Sequence, residues 1–232
     1  MKALILAAGK GTRLYPLTIN KPKGLLKIGN NTILNRLVNQ FRELGIKEIT
    51  IVTGFKKELI QDNFKEDKKI TLINYNDYEK TNNLHTLWSV RDHLNNDIIV
   101  SFADLLLDIE IIKKLLFSKK DISLAVHTMN VLSGTMPIHV VDNKVKSITT
   151  TNKKDASGNF IGIGKFSKKG CEVLIDHMKN IINSENINNY YTIAIDNYVR
   201  NNGYVEGINI KDLKWIEIDD MKDYESAKKI FS

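Results

Sequence analysis

The first half of the chain alternates between short apolar runs and segments in which apolar residues recur at helical spacing. The apolar runs lack the in-and-out alternation of a surface strand, which is typical of strands buried on both faces of a sheet. They cover residues 2–7, 48–53, 70–73 and 98–103. This order predicts a Rossmann-like, doubly wound and mostly parallel α/β sheet that is flanked by helices.

The segments between the runs carry helix signals. Thr32 precedes apolar residues at helical spacing that continue until Gly45, so it is predicted to be the N-cap of a helix. A shorter helical pattern occupies residues 57–64. Asn83 starts another, whose face would include residues as far as Leu94. Further helices are predicted at 168–182, at about 190–202 and at 220–231.

After Ser118 the pattern changes to strand-like pieces at 122–128, 137–141, 145–150 and 159–166. The tight turn DNK joins two of them, which indicates a hairpin. We therefore expect a small mixed or antiparallel β insertion that roofs one side of the main sheet. Because no repeat, linker or low-complexity tract occurs, we expect one domain over 1–232, whose halves, 1–118 and 119–232, differ in their pattern of elements.

Composition and charge limit the partners and the cellular compartment that the sequence predicts. The 232 residues are 42% hydrophobic and carry a formal net charge of +7, but no run of five basic residues occurs. A nucleic-acid partner is therefore motivated by net charge alone, and we expect none. The single cysteine, Cys171, cannot form an internal disulfide, and the first apolar run ends after Ala8. We expect a cytoplasmic protein without membrane insertion.

The first apolar run leads into LAAGKGTRLYPLT, a glycine-containing loop with basic residues. Gly9 and Gly11 allow positive φ angles and close approach of the backbone to a ligand, and successive amides in such a turn form an anion-binding concavity. Arg13 adds a planar charged fork and Lys23 a point charge. The loop favours a phosphate chain as its ligand, although neither GxxxxGK[ST] nor GxGxxG is present.

The longer string LAAGKGTRLYPLTINKPKGLLKI resembles the signature of the sugar-phosphate nucleotidyltransferases, LAxGxGTRLxPLTxxxPKxLL. Members of this family transfer a nucleoside monophosphate from a nucleoside triphosphate to a phosphorylated small molecule and release pyrophosphate. The resemblance implies catalytic roles for Arg13 and Lys23. The nucleotide-binding residues that it implies around the loop and the strand ends are Leu6, Ala7, Ala8, Gly9, Gly11, Thr12, Arg13 and Ala103.

Carboxylates stand at two further strand ends. Asp104 follows the run 98–103, at the edge where open α/β sheets bind ligands, and Mg²⁺ prefers such oxygen ligands. In WIEIDD, period-two alternation places Glu217 and Asp219 on one face, towards the cleft. The resemblance implies that Asp104 and Asp219 bind Mg²⁺, with Glu217 as a weaker neighbour. Asp220 is predicted to cap the final helix.

The segment TNNLHTLWSV resembles the NNxxSL segment of the CTP:phosphocholine cytidylyltransferase branch, and YYTIAIDNYVR resembles a late segment of the same branch. The resemblance implies that CTP is the nucleotide and that Asn82, Asn83 and Thr86 contact it. The apolar side chains of this segment are interpreted as core.

The acceptor is less determined. Choline recognition requires aromatic rings around a quaternary ammonium, but the chain reads SGTMPIHV where that branch supplies such a ring. Phosphocholine, phosphoethanolamine, a phosphonate and a phosphorylated amino acid or amide such as phosphoglutamine all stay open. Lys146 and Lys165 are equally compatible with an acidic acceptor. The candidate acceptor contacts are Glu217, Tyr190, Tyr191 and Asp196.

These features and the resemblance together favour a Mg²⁺-dependent cytidylyltransferase, and the resemblance implies a CDP-linked precursor for cell-surface polysaccharide or for phospholipid decoration. Its partners would be CTP and a small phosphorylated acceptor, and the formation of a homo-oligomer stays open. Residues 1–118 would bind the nucleotide, and residues 119–232 would bind the acceptor and contain the closing metal motif. Two alternatives stay open. One is a hexose-1-phosphate nucleotidyltransferase that uses UTP or dTTP, and the other is a non-catalytic nucleotide-binding regulator.

Overall fold

The structure is a computed structural model that describes residues 1–129, 131–132, 135–148, 155–183 and 187–231. The strands are β1 (Lys2–Ala7), β2 (Lys27–Ile28), β3 (Asn31–Thr32), β4 (Ile49–Thr53), β5 (Ile70–Asn74), β6 (Ile98–Phe102), β7 (Leu105–Leu107), β8 (Ile122–His127), β9 (Met136–Val141), β10 (Lys144–Ile148), β11 (Gly158–Phe166), β12 (Glu206–Asn209) and β13 (Trp215–Glu217). The α-helices are α1 (Ile33–Glu43), α2 (Lys57–Phe64), α3 (Asn83–Ser89), α4 (Ile109–Phe117), α5 (Lys168–Ile182), α6 (Thr192–Arg200) and α7 (Met221–Phe231).

Nine of the described strands form one sheet in the order β5-β4-β1-β6-β11-β8-β12-β10-β9. The four strands β5, β4, β1 and β6 are parallel to one another, as the buried apolar runs predict. The chain moves outward from β1 through β4 to β5 and then returns to β6 on the other side of β1. The strand order therefore reverses between β1 and β6, and ligands bind at such switch points in open α/β sheets.

The second half of the chain corrects one expectation. Its strands do not form a separate roof but continue the same sheet, because β11 pairs antiparallel with both β6 and β8. The first residues of β11, Gly158–Phe160, pair also with β9, so strands β11, β8, β12, β10 and β9 close into a ring. The pieces 122–128, 137–141 and 159–166 are confirmed as strands, whereas residues 149–150 lie outside the described part of the chain.

The core explains why the first runs contain no alternation. Leu4 and Leu6 of β1 enter one buried cluster, and Ala3, Ile5 and Ala7 enter another on the opposite face. Burial on both faces removes the polar positions that would mark a surface strand.

Local sequence signals predict the start of α1 correctly but not the end of α3. Thr32 caps α1 by accepting a hydrogen bond from the Asn35 N–H at 3.1 Å. The helix that starts at Asn83 ends earlier than predicted, at Ser89, and a 3₁₀ turn leads to Leu94. None of the described helices is long and apolar enough to cross a membrane.

Candidate active site

A cavity of about 610 Å³ opens at the carboxyl ends of β1 and β6, at the reversal of strand order. The glycine loop after β1 forms one wall, the start of α3 another, and residues after β6 and β13 its charged part. The described residues that line it are Leu6, Ala7, Ala8, Gly9, Gly11, Thr12, Arg13, Lys23, Gly24, Tyr78, Thr81, Asn82, Asn83, Thr86, Phe102, Ala103, Asp104, Thr135, Met136, Tyr190, Glu217 and Asp219.

The glycine loop is held in a defined shape. Gly11 has a φ of 63°, in the left-handed region, and a Cβ there would also approach the Cβ of Lys23 to 3.3 Å. The buried Thr18 hydroxyl donates a hydrogen bond to the Gly11 carbonyl oxygen at 2.7 Å. Because the backbone at Gly11 is fixed from both sides, the loop is organised before any ligand binds.

Pairing between two short strands brings the carboxylates together. β13 runs antiparallel to β7, with Glu217 opposite Leu105, and the Ile218 N–H donates to the Asp104 carbonyl oxygen at 3.0 Å. Glu217 and Asp219 therefore lie beside Asp104. Among the described residues, one cluster of three or more His, Cys, Asp or Glu side chains could hold a metal ion. It consists of Asp104, Glu217 and Asp219, and one carboxylate oxygen from each residue lies within 4.8 Å of the other two.

The start of α7 fixes Asp219. The Asp220 carboxylate accepts a hydrogen bond from the Asp223 N–H at 3.0 Å, which confirms the predicted capping role. In return, Asp223 Oδ2 accepts from the N–H groups of Asp219 at 3.0 Å and Asp220 at 3.1 Å. This reciprocal cap fixes the backbone at Asp219, which lines the cavity.

Two cations contact this carboxylate group. Lys23 Nζ lies 2.7 Å from Asp104 Oδ2 and 3.0 Å from Asp219 Oδ1. Arg13 contributes a second ion pair, with its Nη2 at 2.9 Å from Asp219 Oδ1. The Lys23 side chain is 15% exposed, whereas Arg13 is 65% exposed. Lys23 is therefore the cation enclosed by the site, and Arg13 extends from its rim.

Burial and neighbouring charges shift the pKa values of Lys23 and Glu217. Burial lowers the pKa of Lys23, but the nearby charges of Asp104 and Asp219 outweigh it and raise the pKa overall. The pKa of Glu217 lies well above its usual value because the carboxyl is buried and faces Asp104 and Asp219.

Asp104 Oδ1 is buried and has no hydrogen-bond partner among the described residues. A buried carboxylate oxygen without a partner, next to two further carboxylates, is suited to a divalent cation.

Most residues that the sequence singles out meet in this cavity. The loop and strand-end residues, Arg13, Lys23, Asn82, Asn83, Thr86, Asp104, Asp219, Glu217 and Tyr190 all line it. Of the motif SGTMP, Thr135 and Met136 do so, while residues 133–134 lie outside the described part.

Two proposed acceptor contacts lie elsewhere. Asp196 is buried, accepts a hydrogen bond from the Ile148 N–H at 2.8 Å and pairs with Arg200, so its carboxylate joins α6 to β10. Tyr191 is fully buried, and its ring lies edge-on to Phe102 at a centroid distance of 6.0 Å. Both assignments to the acceptor are corrected, because these side chains are committed to the interior rather than to the cavity.

A Tyr191→Phe variant tests that correction. The Tyr191 hydroxyl has no hydrogen-bond partner among the described residues, and burial together with the charge of Glu217 raises its pKa. Removing an unpartnered buried hydroxyl is expected to leave turnover unchanged and to keep or raise the free energy of unfolding, by up to about 1–2 kcal/mol. Urea unfolding and steady-state kinetics measure both quantities. A large loss of turnover at unchanged stability would restore Tyr191 to the site.

Several site residues carry no strong sequence signal. Thr18 is one position of LYPLT, but its buried bond to Gly11 depends on how the loop folds back. Tyr78 packs against Gly54, where a Cβ would lie 2.7 Å from its ring. Phe102 and Thr81 also line the cavity. Ordinary aromatic and hydroxyl residues such as these are recognisable only once the walls of the cavity are known.

Comparison with known proteins agrees with this arrangement. The family model described as "Nucleotidyl transferase" matches residues 2–132. The UTP–glucose-1-phosphate uridylyltransferase AglF of Haloferax volcanii is 37% identical over 105 residues, which cover 45% of this chain and 43% of that protein. The chain thus spans less than half the length of that relative.

Two cytidylyltransferases match over nearly their full length. The CTP:phosphoglutamine cytidylyltransferase of Campylobacter jejuni is 27% identical over 252 residues, which cover 97% of this chain and 98% of that protein. The solved structure of the CTP:phosphocholine cytidylyltransferase LicC from Streptococcus pneumoniae superposes with a TM-score of 0.81 at 24% identity, covering 100% of this chain and 99% of that one. The fold is therefore shared, and the chain belongs to the nucleotidyl transferase family.

Proposed function

We propose that this protein transfers CMP from CTP to a small phosphorylated acceptor, with Mg²⁺ as the metal, and releases pyrophosphate. The observation that carries the proposal is the junction of Lys23 with Asp104 and Asp219 beside a preformed glycine loop in one cavity. The full-length match to a CTP-dependent relative supports the choice of nucleotide.

The reaction brings two negatively charged groups together, the phosphate of the acceptor and the α-phosphate of CTP. A phosphate oxygen of the acceptor attacks the α-phosphorus of CTP in line, a new P–O bond forms, and the bond from the α-phosphorus to the bridging oxygen breaks. Pyrophosphate leaves with that electron pair, so no water or external proton donor is required. Positioning and positive charge are the main contributions that a protein makes to such a step.

This chain supplies both the positioning and the positive charge. The fixed backbone from Gly9 to Arg13 offers N–H groups to the triphosphate, and Arg13 can extend over it from the rim. Lys23, enclosed and held in its charged form by its carboxylate neighbours, provides a point charge for the reacting phosphates. Thr18 keeps the loop in place.

Asp104, Asp219 and Glu217 would hold the Mg²⁺ ion. When bound, the cation neutralises phosphate charge and polarises phosphoryl oxygens. The unpartnered Asp104 Oδ1 gives these residues a free ligand atom while Lys23 still occupies Oδ2.

The acceptor would lie next to Tyr190, Met136 and Thr135, which the second half of the chain contributes. We therefore propose that residues 1–118 bind the nucleotide and residues 119–232 bind the acceptor within one domain. The acceptor class is phosphocholine-like: phosphocholine, phosphoethanolamine, a phosphonate, or a phosphorylated amino acid or amide. Phosphoglutamine, an example of the last kind, is named for a full-length relative. A cytoplasmic site of action and a CDP-linked product for cell-surface polysaccharide complete the proposal.

A second candidate is supported by AglF, the relative with 37% identity, which is named for UTP and glucose 1-phosphate. A hexose-1-phosphate nucleotidyltransferase would use the same charged cluster. The two candidates differ in the nucleotide and in the acceptor.

The decisive experiment is a release assay for pyrophosphate over CTP, UTP, dTTP, ATP and GTP. Each nucleotide is combined with phosphocholine, phosphoethanolamine, a phosphonate, phosphoglutamine and glucose 1-phosphate, and products are identified by mass spectrometry. Turnover with CTP and a non-sugar acceptor, giving a CDP-linked product, is expected. Turnover confined to a sugar phosphate with UTP or dTTP would establish the second candidate instead.

A further inference from the structure

We propose that Asn159, a buried amide in β11, is a positioning residue that holds the acceptor wall of the cavity in place. The acceptor wall is formed by Leu132, Thr135 and Met136, which lead into and begin β9. This inference rests on the proposed function, because that function places the acceptor beside Thr135 and Met136. Asn159 is not among the described residues that line the cavity, so it acts through the residues that it holds.

One oxygen of Asn159 binds two points of this wall. Asn159 Oδ1 accepts a hydrogen bond from the Leu132 N–H at 2.9 Å and another from the Thr135 hydroxyl at 2.6 Å. The side-chain oxygen must occupy this position, because a backbone N–H donates only to an acceptor. The Thr135 hydroxyl also lies 2.9 Å from the Leu132 carbonyl oxygen. Leu132 and Thr135 are therefore tied to β11 and to each other.

β11 is a rigid support for these bonds. All nine residues of β11 are buried, and Asn159 pairs with His127 of β8 on one side and with Pro137 of β9 on the other. Gly158 lies so close to β8 that a Cβ there would be 2.3 Å from the His127 carbonyl oxygen. The sheet therefore sets the position of the Asn159 oxygen before any ligand binds.

Strand pairing alone does not fix Thr135. β9 begins at Met136, which is paired with Phe160 of β11. Leu132 and Thr135 precede the strand, where the polar groups of the chain need partners other than those of a ladder. A buried amide is costly unless its polar atoms are hydrogen-bonded. The two bonds of Asn159 Oδ1 meet both needs, because they satisfy the amide oxygen and hold the wall.

The acceptor wall is held independently of the charged part of the cavity. Lys23, Asp104 and Asp219 are fixed by ion pairs and by the pairing of β13 with β7. A small displacement of a group that positions a substrate can cost up to about 100-fold in rate. Loss of the Asn159 oxygen is therefore expected to weaken the use of the acceptor and to leave nucleotide binding intact.

The test is Asn159→Leu, which keeps much of the side-chain volume and removes the oxygen. With phosphoglutamine as acceptor and saturating CTP, the KM for the acceptor is expected to rise about tenfold or more. The Kd for CTP in Mg²⁺, from titration calorimetry, should stay unchanged. Hydrogen exchange at the Leu132 amide should become faster, which mass spectrometry of peptides measures without any need for turnover. An unchanged KM for the acceptor, or unchanged exchange at Leu132, overturns the proposal.

Variants of Thr135 test the same bond from the other side. Thr135→Val removes the hydroxyl and should raise the KM for the acceptor, whereas Thr135→Ser keeps the hydroxyl and should raise it less. A serine variant as impaired as the valine variant contradicts the proposal, also if Asn159→Leu does not fold. In the double variant of Asn159→Leu and Thr135→Val, the KM should exceed that of the worse single variant only slightly. Fully independent effects of the two substitutions would mean that Asn159 does not act through Thr135.

Ile161→Val is the matched control in the same strand. Ile161 is buried, is not among the described lining residues and leaves Asn159 in place, so the KM for the acceptor and the exchange at Leu132 should match the wild type. Turnover of the wild type only with UTP and glucose 1-phosphate would refute the proposed function, and the variants are then compared with those two substrates. Without any turnover, the exchange at Leu132 decides the role of Asn159.

Discussion

A Lys23→Met variant is expected to lose turnover on the order of 10²- to 10³-fold. Methionine keeps much of the side-chain volume but removes the positive charge that faces the reacting phosphates, and loss of one such preorganised group typically has an effect of this size. The ammonium is enclosed and contacts two carboxylates directly. Steady-state measurement of pyrophosphate release, with kcat and KM determined separately, provides the readout.

The same variant should be less stable, because it leaves three neighbouring carboxylates without their central cation. Breaking such a buried pair costs about 3 kcal/mol. Mg²⁺ should raise the Tm of the variant more than that of the wild type, since Lys23 no longer competes for Asp104 Oδ2 and Asp219 Oδ1. Lys21→Met is the matched control in the same segment, because Lys21 is exposed. Near-normal turnover of Lys23→Met would contradict the role assigned to this lysine.

Asp104→Asn is expected to lower turnover by about 10³-fold and to abolish the response of the protein to divalent cations. A metal that polarises phosphoryl oxygens contributes several kcal/mol to the transition state, and each 1.4 kcal/mol is about tenfold in rate. Thermal shift with and without Mg²⁺, and activity before and after chelation by EDTA, measure the two effects. Stability without metal should change little, because Lys23 keeps its contact with Asp219.

Asp108→Asn provides the comparison for this variant. Asp108 lies four positions further along and caps α4 by accepting the Glu110 N–H at 3.0 Å, a role that asparagine also performs. It should retain full activity and the full response to Mg²⁺. If Asp104→Asn still gains stability from Mg²⁺ as the wild type does, the carboxylate of Asp104 is not a ligand.

Both predictions concern side chains that the sequence marks individually but cannot place together. Lys23 and Asp219 are 196 positions apart and lie in contact. Their meeting depends on the antiparallel pairing of β13 with β7. β7 is three consecutive buried leucines, a run too short and too uniform for alternation to mark it as a strand.

Tyr190 and Tyr191 show that the sequence does not predict side-chain direction even for two neighbouring residues. Tyr190 is 37% exposed and lines the cavity, whereas Tyr191 is fully buried. They are neighbours in the chain just before α6, and the packing of that segment against α3 and Phe102 decides which ring points outward. No pattern in YYTIAID separates them.

The sequence by itself determined the parts that depend on nearby residues. It set the apolar strands of the first half as elements and the caps at Thr32 and Asp220, because each of these features depends on neighbours a few positions away. Tertiary structure alone decided how β11 joins the two halves into one sheet and how Asp104, Glu217 and Asp219 surround Lys23. Strand register and side-chain direction at such distances follow from the packing of the whole chain, which local propensity does not encode.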